Sequence, residues 1–376
     1  MDLDPSAILS GAVEAQNLPP SDGRSGKVPD FAFNPLYRNG CLYRPILDEQ
    51  NPFRPRWPND APFAVCLTHD LDVVSEAGIR QSLRKIARVW RSRPPPARAV
   101  QCLQTALALR RLLQAVARGP RPDPLWCYER WLDAEADVGA RSTFFIFPER
   151  VRQPHFSDCH YGYRDRIRFR QRRCRVGDFL RALARDRWEI GVHPSWNATL
   201  DAEELRGQKQ SVEQAIEQPV VSVRHHWLHF DIRSTPRLQA ATGLRFDSTL
   251  GFNDNVGFRF GTCRPWQLRD PQTNQPVGVL EIPLIAQDTA LLNPMKGLRL
   301  DIPTARSYLE QLIEAVRRVA GVFTVSFHPD VIHPTRCPGW FDLYCDLLRE
   351  LRQRKAWFAT VAELGTYWLQ HYPSAS

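Results

Sequence analysis

The feature that most constrains the fold of this chain is a repeated alternation of short apolar runs with longer segments of helical periodicity. A short apolar run bounded by polar residues is typical of a strand covered on both faces, whereas apolar residues at helical spacing indicate one buried face of a helix. The apolar runs are Phe63–Thr68, Ser142–Phe147, Glu189–His193, Val220–Arg224, Phe246–Leu250, Leu280–Leu284, Val322–Phe327 and Trp357–Val361. This alternation predicts an α/β fold with a parallel sheet, open or closed into a barrel.

The prediction divides the chain into two parts. Residues 1–60 are rich in Pro, Asn and Asp, and repeated prolines such as those between Asn51 and Pro58 remove backbone donors and prevent a regular helix. We therefore expect an irregular N-terminal arm over 1–60, followed by the α/β domain over 61–370. The helices of that domain are expected near 126–138, 176–187, 202–218, 235–242, 304–320 and 340–354.

A strongly basic segment lies between the first two predicted strands. Residues 80–121 contain eleven Lys and Arg and no acidic residue, in a chain whose net charge is +9. Apolar residues at helical spacing on either side of Pro94–Pro96 predict an inserted helical hairpin at about 79–120. Two interpretations stay open: a hairpin with Lys and Arg on a solvated outer face, or a patch for anionic membrane lipid, acidic glycan or nucleic acid. We expect no specific nucleic-acid partner, because no recognition motif accompanies the charge.

Composition excludes several other classes of protein. The first sixteen residues lack the basic start and apolar run of a secretory signal, and no stretch reaches the roughly 20 apolar residues that span a bilayer. The nine cysteines are scattered without a Cys-x-x-Cys pair, which argues against a disulfide framework or a thiolate zinc cluster. We therefore expect a globular cytoplasmic protein, peripheral to the membrane if the basic hairpin binds lipid.

Four predicted strands end in residues that could perform chemistry. The first ends in Asp70 and Asp72, and later strands end in His193, in Arg224 with the pair His225-His226, and in His328. Parallel strands bring their C-terminal ends to one edge, so these side chains are expected to converge. Carboxylates, imidazoles and a guanidinium at one edge are the groups that metal-assisted hydrolysis uses.

The spacing of Asp70 and Asp72 carries further information. Residues i and i+2 of an extended chain point to one side, so the two carboxylates would face one cavity. A divalent cation bound by one would leave the other to act as a general base. The alternative is an Asp-rich turn or helix cap, with His193 and His328 as structural residues.

Several segments resemble the polysaccharide deacetylases, also called the NodB-homology or carbohydrate esterase family four proteins. Leu67–Asp72, Ala140–Phe145 and Trp188–Ser195 are similar to three motifs of that family. Four more segments are similar to a bacterial subgroup associated with surface-polysaccharide assembly: Arg224–Phe230, Phe246–Phe252, Gly257–Cys263 and Glu281–Leu284. The resemblance runs from about 63 to 364, and it implies a deformed (β/α) barrel and a divalent metal ion, zinc in our prediction.

The resemblance also implies roles for individual residues. Asp70 matches the catalytic base, and Arg224 matches the residue that pairs with it. Asp72 and His193 match metal ligands. His328 matches the general acid that protonates the leaving amine.

One position departs from the family. The second metal histidine usually follows the first by four residues, and that position is Asn197 here. Asn is a poor zinc ligand. Strand alternation would put His226 on the same side as Arg224, beside the strand that supplies His193, so we predict that His226 is the third ligand.

These expectations lead to a functional prediction. The chain would be a metal-dependent hydrolase that removes an acetyl group from an N-acetylated sugar or polysaccharide precursor. The alternatives are hydrolysis of another non-peptide carbon–nitrogen bond, such as that of a cyclic imide or ureide, and a catalytically degenerate protein that binds glycan or assists assembly.

Overall fold

The computed structural model describes residues 8–9, 34, 36, 40–76, 78–118, 123–270 and 272–373. Its central feature is a ten-stranded sheet with the order β10-β11-β1-β2-β5-β6-β7-β9-β8, in which β12 pairs with the start of β1. The strands are β1 Ala64–Leu71, β2 Thr143–Ile146, β3 Arg166–Phe169, β4 Arg172–Arg175, β5 Glu189–Val192, β6 Ser222–Val223, β7 Phe246–Asp247, β8 Trp266–Arg269, β9 Pro276–Glu281, β10 Ala286–Gln287, β11 Val322–Ser326 and β12 Trp357–Phe358. All neighbours in this sheet pair in parallel except β8 with β9, and β3 and β4 form a separate hairpin.

One continuous segment joins the two ends of the parallel sheet. The amide of Ile282, just after β9, donates to the carbonyl of Asp247 on β7 at 2.8 Å. The amide of Ile285, just before β10, donates to the carbonyl of Thr324 on β11 at 2.9 Å. Because residues 282–285 bridge β7 and β11, the sheet curls into a deformed (β/α) barrel, which confirms the predicted fold class.

The helices pack outside this sheet and connect its strands. They are α1 Ile46–Gln50, α2 Ile79–Arg91, α3 Arg98–Arg118, α4 Tyr128–Asp137, α5 Val176–Arg185, α6 Ala202–Ile216, α7 Thr235–Ala241, α8 Asp288–Leu292, α9 Ile302–Arg318, α10 Trp340–Gln353 and α11 Val361–His371. All eight positions of β1 are buried, as expected for a strand covered on both faces. The chemically useful ends of the strands therefore open at one end of a packed core.

The last predicted strand is shorter than expected. Only Trp357 and Phe358 pair with β1, and α11 begins at Val361. Thr360 caps this helix: its hydroxyl accepts from the Glu363 amide at 3.3 Å, and the Glu363 carboxylate accepts from the Thr360 amide at 3.0 Å. This capping box fixes the helix start inside an apolar run that favours a strand on pattern alone.

The predicted basic hairpin is present as α2 and α3. Part of its basic surface faces the barrel, unlike in the interpretation that places Lys and Arg on a solvated outer face. Arg84 pairs with Asp165, and Arg88 donates to the Cys159 carbonyl and lies over the Phe147 ring at 5.0 Å. These two basic residues therefore face the barrel, whereas Leu83 and Trp90 face solvent. No helix in the described ranges is long and apolar enough to cross a membrane.

The described part of the predicted arm packs against the barrel. Asp48, in α1, accepts from the Thr262 hydroxyl and the Cys263 amide, each at 2.8 Å. Residues 51–57 form neither helix nor strand. Most of the arm before residue 40 lies outside the described residues. The cysteines at positions 66, 102, 127, 159, 174, 263, 337 and 345 are free.

Candidate metal centre

Three of the predicted residues form a compact cluster at the C-terminal ends of the strands. The Nε2 atom of His193 lies 3.3 Å from Oδ1 of Asp72, and Nε2 of His226 lies 3.7 Å from Oδ2 of the same carboxylate. One ligand atom from each of the three residues lies within 4.8 Å of the other two. Asp72 follows β1, His193 follows β5 and His226 comes shortly after β6, so segments that follow three different strands supply the cluster.

The orientation of His193 suits a metal ligand. Its Nδ1 lies 2.6 Å from the carbonyl oxygen of Arg224, which can only accept, so Nδ1 carries the proton. The Nε2 lone pair then points at Asp72, the arrangement in which a histidine ligates a metal. Burial lowers the pKa of His193, but Asp70 and Asp72 outweigh it, so the pKa lies above the usual value. The surroundings of His193 therefore favour a positive charge.

His226 reaches the cluster by a different path from the one predicted. β6 ends at Val223, and His226 begins a 3-10 turn, His226–Leu228, in which Trp227 has φ 60° and Leu228 has φ 51°. Simple strand alternation from Arg224 is therefore wrong as the reason for its position. Its Nδ1 is buried and has no hydrogen-bond partner among the described residues.

Asn197 is turned away from the cluster. Its amide nitrogen donates to the carbonyl oxygens of Arg93, at 2.8 Å, and Gln153, at 2.9 Å. Arg93 lies in the connection between α2 and α3. Asn197 therefore holds the loop of the inserted hairpin rather than contributing to the cluster.

Asp70 and Arg224 form an ion pair beside the cluster. Nη1 of Arg224 lies 3.1 Å from Oδ1 of Asp70 and 2.6 Å from the Thr68 hydroxyl. The guanidinium is fully buried, bonds the carbonyl and hydroxyl oxygens of Ser248, and lies over the Phe145 ring at 4.6 Å. Arg224 thus fixes one oxygen of Asp70 and leaves the other, Oδ2, without a partner among the described residues.

His328 completes the set, with a partner that the sequence analysis missed. Its Nδ1 donates to Oδ1 of Asp288 at 2.8 Å, and its Nε2 lies 3.8 Å from Oδ2 of Asp72. Burial lowers the pKa of His328, but Asp288 outweighs this effect and holds the pKa well above its usual value. Asp288 follows the two-residue strand β10, so only an acid directly after Ala286-Gln287 could have pointed to it.

Cys159 is a second neighbour that the sequence analysis missed. Its Sγ lies 3.4 Å from Oδ1 of Asp72 and 3.7 Å from Nε2 of His226. Burial, with Asp72 adding to it, raises the pKa of this thiol well above the usual value. The set of ligand atoms that lie within 4.8 Å of one another consists of Asp72, His193 and His226, so Cys159 borders the cluster rather than belonging to it.

The inserted hairpin lines a small cavity next to Asp72. Its inner surface contributes Gln81, Ser82, Lys85 and Arg111, and His160 lies opposite. Burial, with Arg111 adding to it, lowers the pKa of Lys85 to about 8. Helices α2 and α3 are therefore part of the wall of the site, not a separate appendage.

His69 lies on the other side of β1 from the cluster. Its Nε2 lies 2.7 Å from Oε1 of Glu135, and its Nδ1 lies 2.6 Å from the carbonyl oxygen of Phe327. Oε2 of Glu135 accepts from Trp188 at 2.7 Å, and Oε1 accepts from Tyr344 at 3.0 Å. This buried network supports the strand that carries Asp70.

An exposed indole borders the site. Trp227, next to His226, is 40% exposed, and Lys296 lies over its ring at 4.3 Å. Trp266 is buried in the core, and Trp196 is stacked on His229 with a centroid distance of 3.9 Å. Of the three tryptophans beside the motifs, Trp227 is therefore the most exposed, although Lys296 lies over one face of its ring.

The donor set fits a divalent metal ion. Two imidazole nitrogens and one carboxylate oxygen are the protein ligands of many catalytic zinc sites, which keep a fourth position for water or substrate. The clustering of Asp72 with two histidines also lowers the pKa of its carboxylic acid: burial opposes this, but His226 and His193 prevail. Asp72, His193 and His226 are thus the residues that would hold the ion.

The same architecture occurs in known structures. The chain is similar to a Mycobacterium smegmatis protein assigned as a polysaccharide deacetylase, with TM-score 0.53 and 18% identity over 84% of this chain and 92% of that one. It is also similar to the allantoinase PuuE, with TM-score 0.54 and 15% identity over 87% and 97% of the two chains. No family model matches the sequence, and no curated protein matches it. The fold is therefore the deformed (β/α) barrel of the polysaccharide deacetylase type.

Proposed function

We propose that this chain is a metal-dependent amide hydrolase that removes the acetyl group from an N-acetylated sugar or polysaccharide precursor. The observation that carries the proposal is that candidate metal ligands, a candidate base and a candidate acid lie together at one end of the barrel. The cluster Asp72–His193–His226 would hold the metal, Asp70 would be the base, and His328 would be the acid. Acetamide hydrolysis needs each of these parts.

A divalent ion, zinc in our proposal, would polarise the acetyl carbonyl and lower the pKa of a water molecule when bound. Asp70 would accept a proton from the attacking water at Oδ2, because Arg224 occupies Oδ1. His328 would donate the proton from Nε2 to the leaving amine, since its Nδ1 is engaged by Asp288. The distance of 3.8 Å from His328 Nε2 to Asp72 Oδ2 supports this role, because it brings the acid to the edge of the ligand cluster.

A carbohydrate substrate is supported by the surroundings of the cluster. Trp227 is 40% exposed, and sugar rings pack on aromatic faces through their apolar C–H groups. Its ring centroid lies 6.0 Å from that of His226. A sugar stacked on Trp227 could therefore extend an N-acetyl group toward the metal position.

Two alternatives remain. Similarity to an allantoinase structure keeps open hydrolysis of another non-peptide carbon–nitrogen bond, such as that of a ureide. A degenerate glycan-binding or assembly protein is less well supported, because the ligand, base and acid positions are all filled by suitable side chains. A cytoplasmic location stays a prediction from the sequence.

The test is acetate release from N-acetylated sugars by the purified, metal-loaded protein. We expect release by the native chain and a loss of at least about a hundredfold in Asp70→Asn, which keeps the size of the base but removes its basicity. Bound metal should be unchanged in this variant. Hydrolysis of ureides without acetate release would favour the first alternative, and metal binding without hydrolysis of either substrate would favour the second.

A further inference from the structure

The inserted hairpin α2–α3 carries an apolar surface that no described part of the chain covers. Twelve large apolar side chains are exposed in the described residues, and eight of them lie on this hairpin. They are Ile79, Leu83, Trp90, Leu103, Leu107, Leu109, Leu113 and Val116. The other four, Tyr43, Leu200, Trp227 and Met295, are scattered over the remaining chain.

The exposed residues follow the periodicity of the helices. In α2, Ile79, Leu83 and Trp90 are spaced by one or two turns, so they form one stripe. In α3, Leu109, Leu113 and Val116 are spaced in the same way. The hairpin is therefore amphipathic in the reverse of the usual sense for a soluble protein, with apolar stripes turned outward.

Arginines border these stripes. Five arginines of the hairpin are exposed and form no ion pair among the described residues: Arg80, Arg91, Arg93, Arg98 and Arg110. The whole segment from 80 to 121 contains no acidic residue. An apolar stripe beside unpaired arginines is complementary to a partner that has an apolar layer lying directly beneath anionic groups.

We propose that the outer face of the α2–α3 hairpin docks on the surface of an anionic lipid bilayer. The leucines and Trp90 would enter the boundary between headgroups and acyl chains, and the arginines would contact anionic headgroups. A second copy of the chain is a poorer occupant, because a two-fold contact through this face would oppose arginines with arginines. The inner face of the same hairpin lines the cavity beside Asp72, so docking would bring the candidate metal centre close to the membrane.

Co-sedimentation of the full chain with vesicles tests the proposal without relying on enzymatic activity. Vesicles of phosphatidylcholine mixed with phosphatidylglycerol should bind the protein, and vesicles of phosphatidylcholine alone should bind it at least about tenfold more weakly. Raising the salt from about 0.05 M to about 0.5 M should weaken binding, since headgroup attraction is screened. Absence of binding to the mixed vesicles at low salt would overturn the proposal.

Two variants separate the apolar and basic contributions. Leu109→Ser with Leu113→Ser should weaken binding on the order of a hundredfold, about tenfold for each buried leucine. Arg91→Gln, Arg98→Gln and Arg110→Gln together should weaken it by a similar factor, about fivefold for each arginine. The matched control is Leu200→Ser with Met295→Ser, which removes exposed apolar groups elsewhere and should leave binding unchanged.

Two further measurements on the leucine variant show whether the chain itself or a second copy, rather than lipid, covers this face. Its thermal stability should equal that of the native chain, because these side chains are exposed. A marked loss of stability would show that the chain itself covers this face, and would overturn the proposal. Analytical ultracentrifugation should find the same oligomeric state for the two proteins, whereas an oligomer that the leucine substitutions dissociate would assign the face to a second copy.

Discussion

His328 and the buried Asp288 form a hydrogen-bonded pair in which the carboxylate engages Nδ1 and leaves Nε2 3.8 Å from Oδ2 of Asp72. In the proposed mechanism Asp288 is a positioning residue that also holds the pKa of His328 above its usual value. Asp288→Asn removes the negative charge, so the pKa of His328 should fall. Because the acid must be protonated, kcat should then decline at a lower pH on the alkaline side.

The measurement is the pH profile of kcat for the native chain and for Asp288→Asn. We expect kcat near neutral pH to fall by about 10- to 100-fold in this variant, and by about 100- to 10,000-fold in His328→Ala. Asp342→Asn, at an exposed position of α10, is the control. A lower kcat in Asp288→Asn with no movement of the alkaline limb would assign Asp288 a merely structural role.

Metal content tests the ligand assignment independently of catalysis. His226→Ala should lower the affinity for zinc by at least about a hundredfold, because a third ligand is lost. Asn197→Ala should retain the metal, since the Asn197 amide faces the hairpin loop. Cys159→Ala should retain it as well, although the thiol lies as close to Asp72 as the histidines do. Full zinc occupancy in dialysed His226→Ala would refute the assignment.

Trp227 should contribute to substrate affinity rather than to chemistry. Trp227→Ala is expected to raise KM about tenfold with little change in kcat, because it removes a stacking face outside the reacting groups. Trp227→Phe should recover most of the affinity. Steady-state kinetics with a soluble N-acetylated sugar provides the comparison, and Trp90→Ala, which alters another exposed indole, serves as the control. An unchanged KM in Trp227→Ala would remove this residue from the substrate site.

The Glu135 network should be important for stability. Glu135→Leu leaves the polar groups of His69, Trp188 and Tyr344 buried without their common partner, and we expect the free energy of unfolding to fall by about 3–5 kcal/mol. Tyr344→Phe removes the hydroxyl that donates to Glu135 and makes a longer contact to His69, at 3.5 Å, and should cost only about 1 kcal/mol. Urea denaturation measures the two changes. Equal losses in the two variants would contradict a shared role for the Glu135 carboxylate.

Stability should depend on His225 in acid. Burial lowers the pKa of His225 to about 3, whereas histidine in an unfolded chain has a pKa of about 6.5. Between these values the unfolded chain binds a proton that the folded chain does not, so the free energy of unfolding falls as the pH falls. His225→Asn should reduce this slope by up to about one proton. Urea denaturation from pH about 6.5 to about 4 tests it, with His371→Asn, at an exposed position, as the control.

The strand-end rule explains why much of the candidate site could be predicted from the sequence. Asp70, His193 and His328 each follow or end an apolar run long enough to recognise as a buried strand. Asp288 could not be found in this way, because it follows a strand of only two residues and has no periodic signal of its own. The position of His226 depends on left-handed backbone at Trp227 and Leu228, which strand alternation does not encode.

The fold shows the same limit. Apolar runs predicted a parallel sheet, open or closed into a barrel, because central strands such as β1, β2 and β11 are buried along their whole length. The family resemblance, not the runs, implied the deformed barrel. They extended the strand at Trp357 too far, since the Thr360–Glu363 capping box converts its end into a helix. For the hairpin, helical spacing located α2 and α3 but could not tell which stripe faces the barrel, because the inward face is held by arginine pairs such as Arg84–Asp165.

The side-chain amide of Asn197 holds the inserted hairpin at the position where the family usually has its second metal histidine. An imidazole at this position could not reproduce two hydrogen bonds from one nitrogen, to the Arg93 and Gln153 carbonyls. Asn197→His would therefore release the loop between α2 and α3 whether or not the new ring reached the metal. Introducing the usual histidine into this chain would remove the two hydrogen bonds that hold the hairpin loop. The hairpin position would therefore change together with the set of metal ligands.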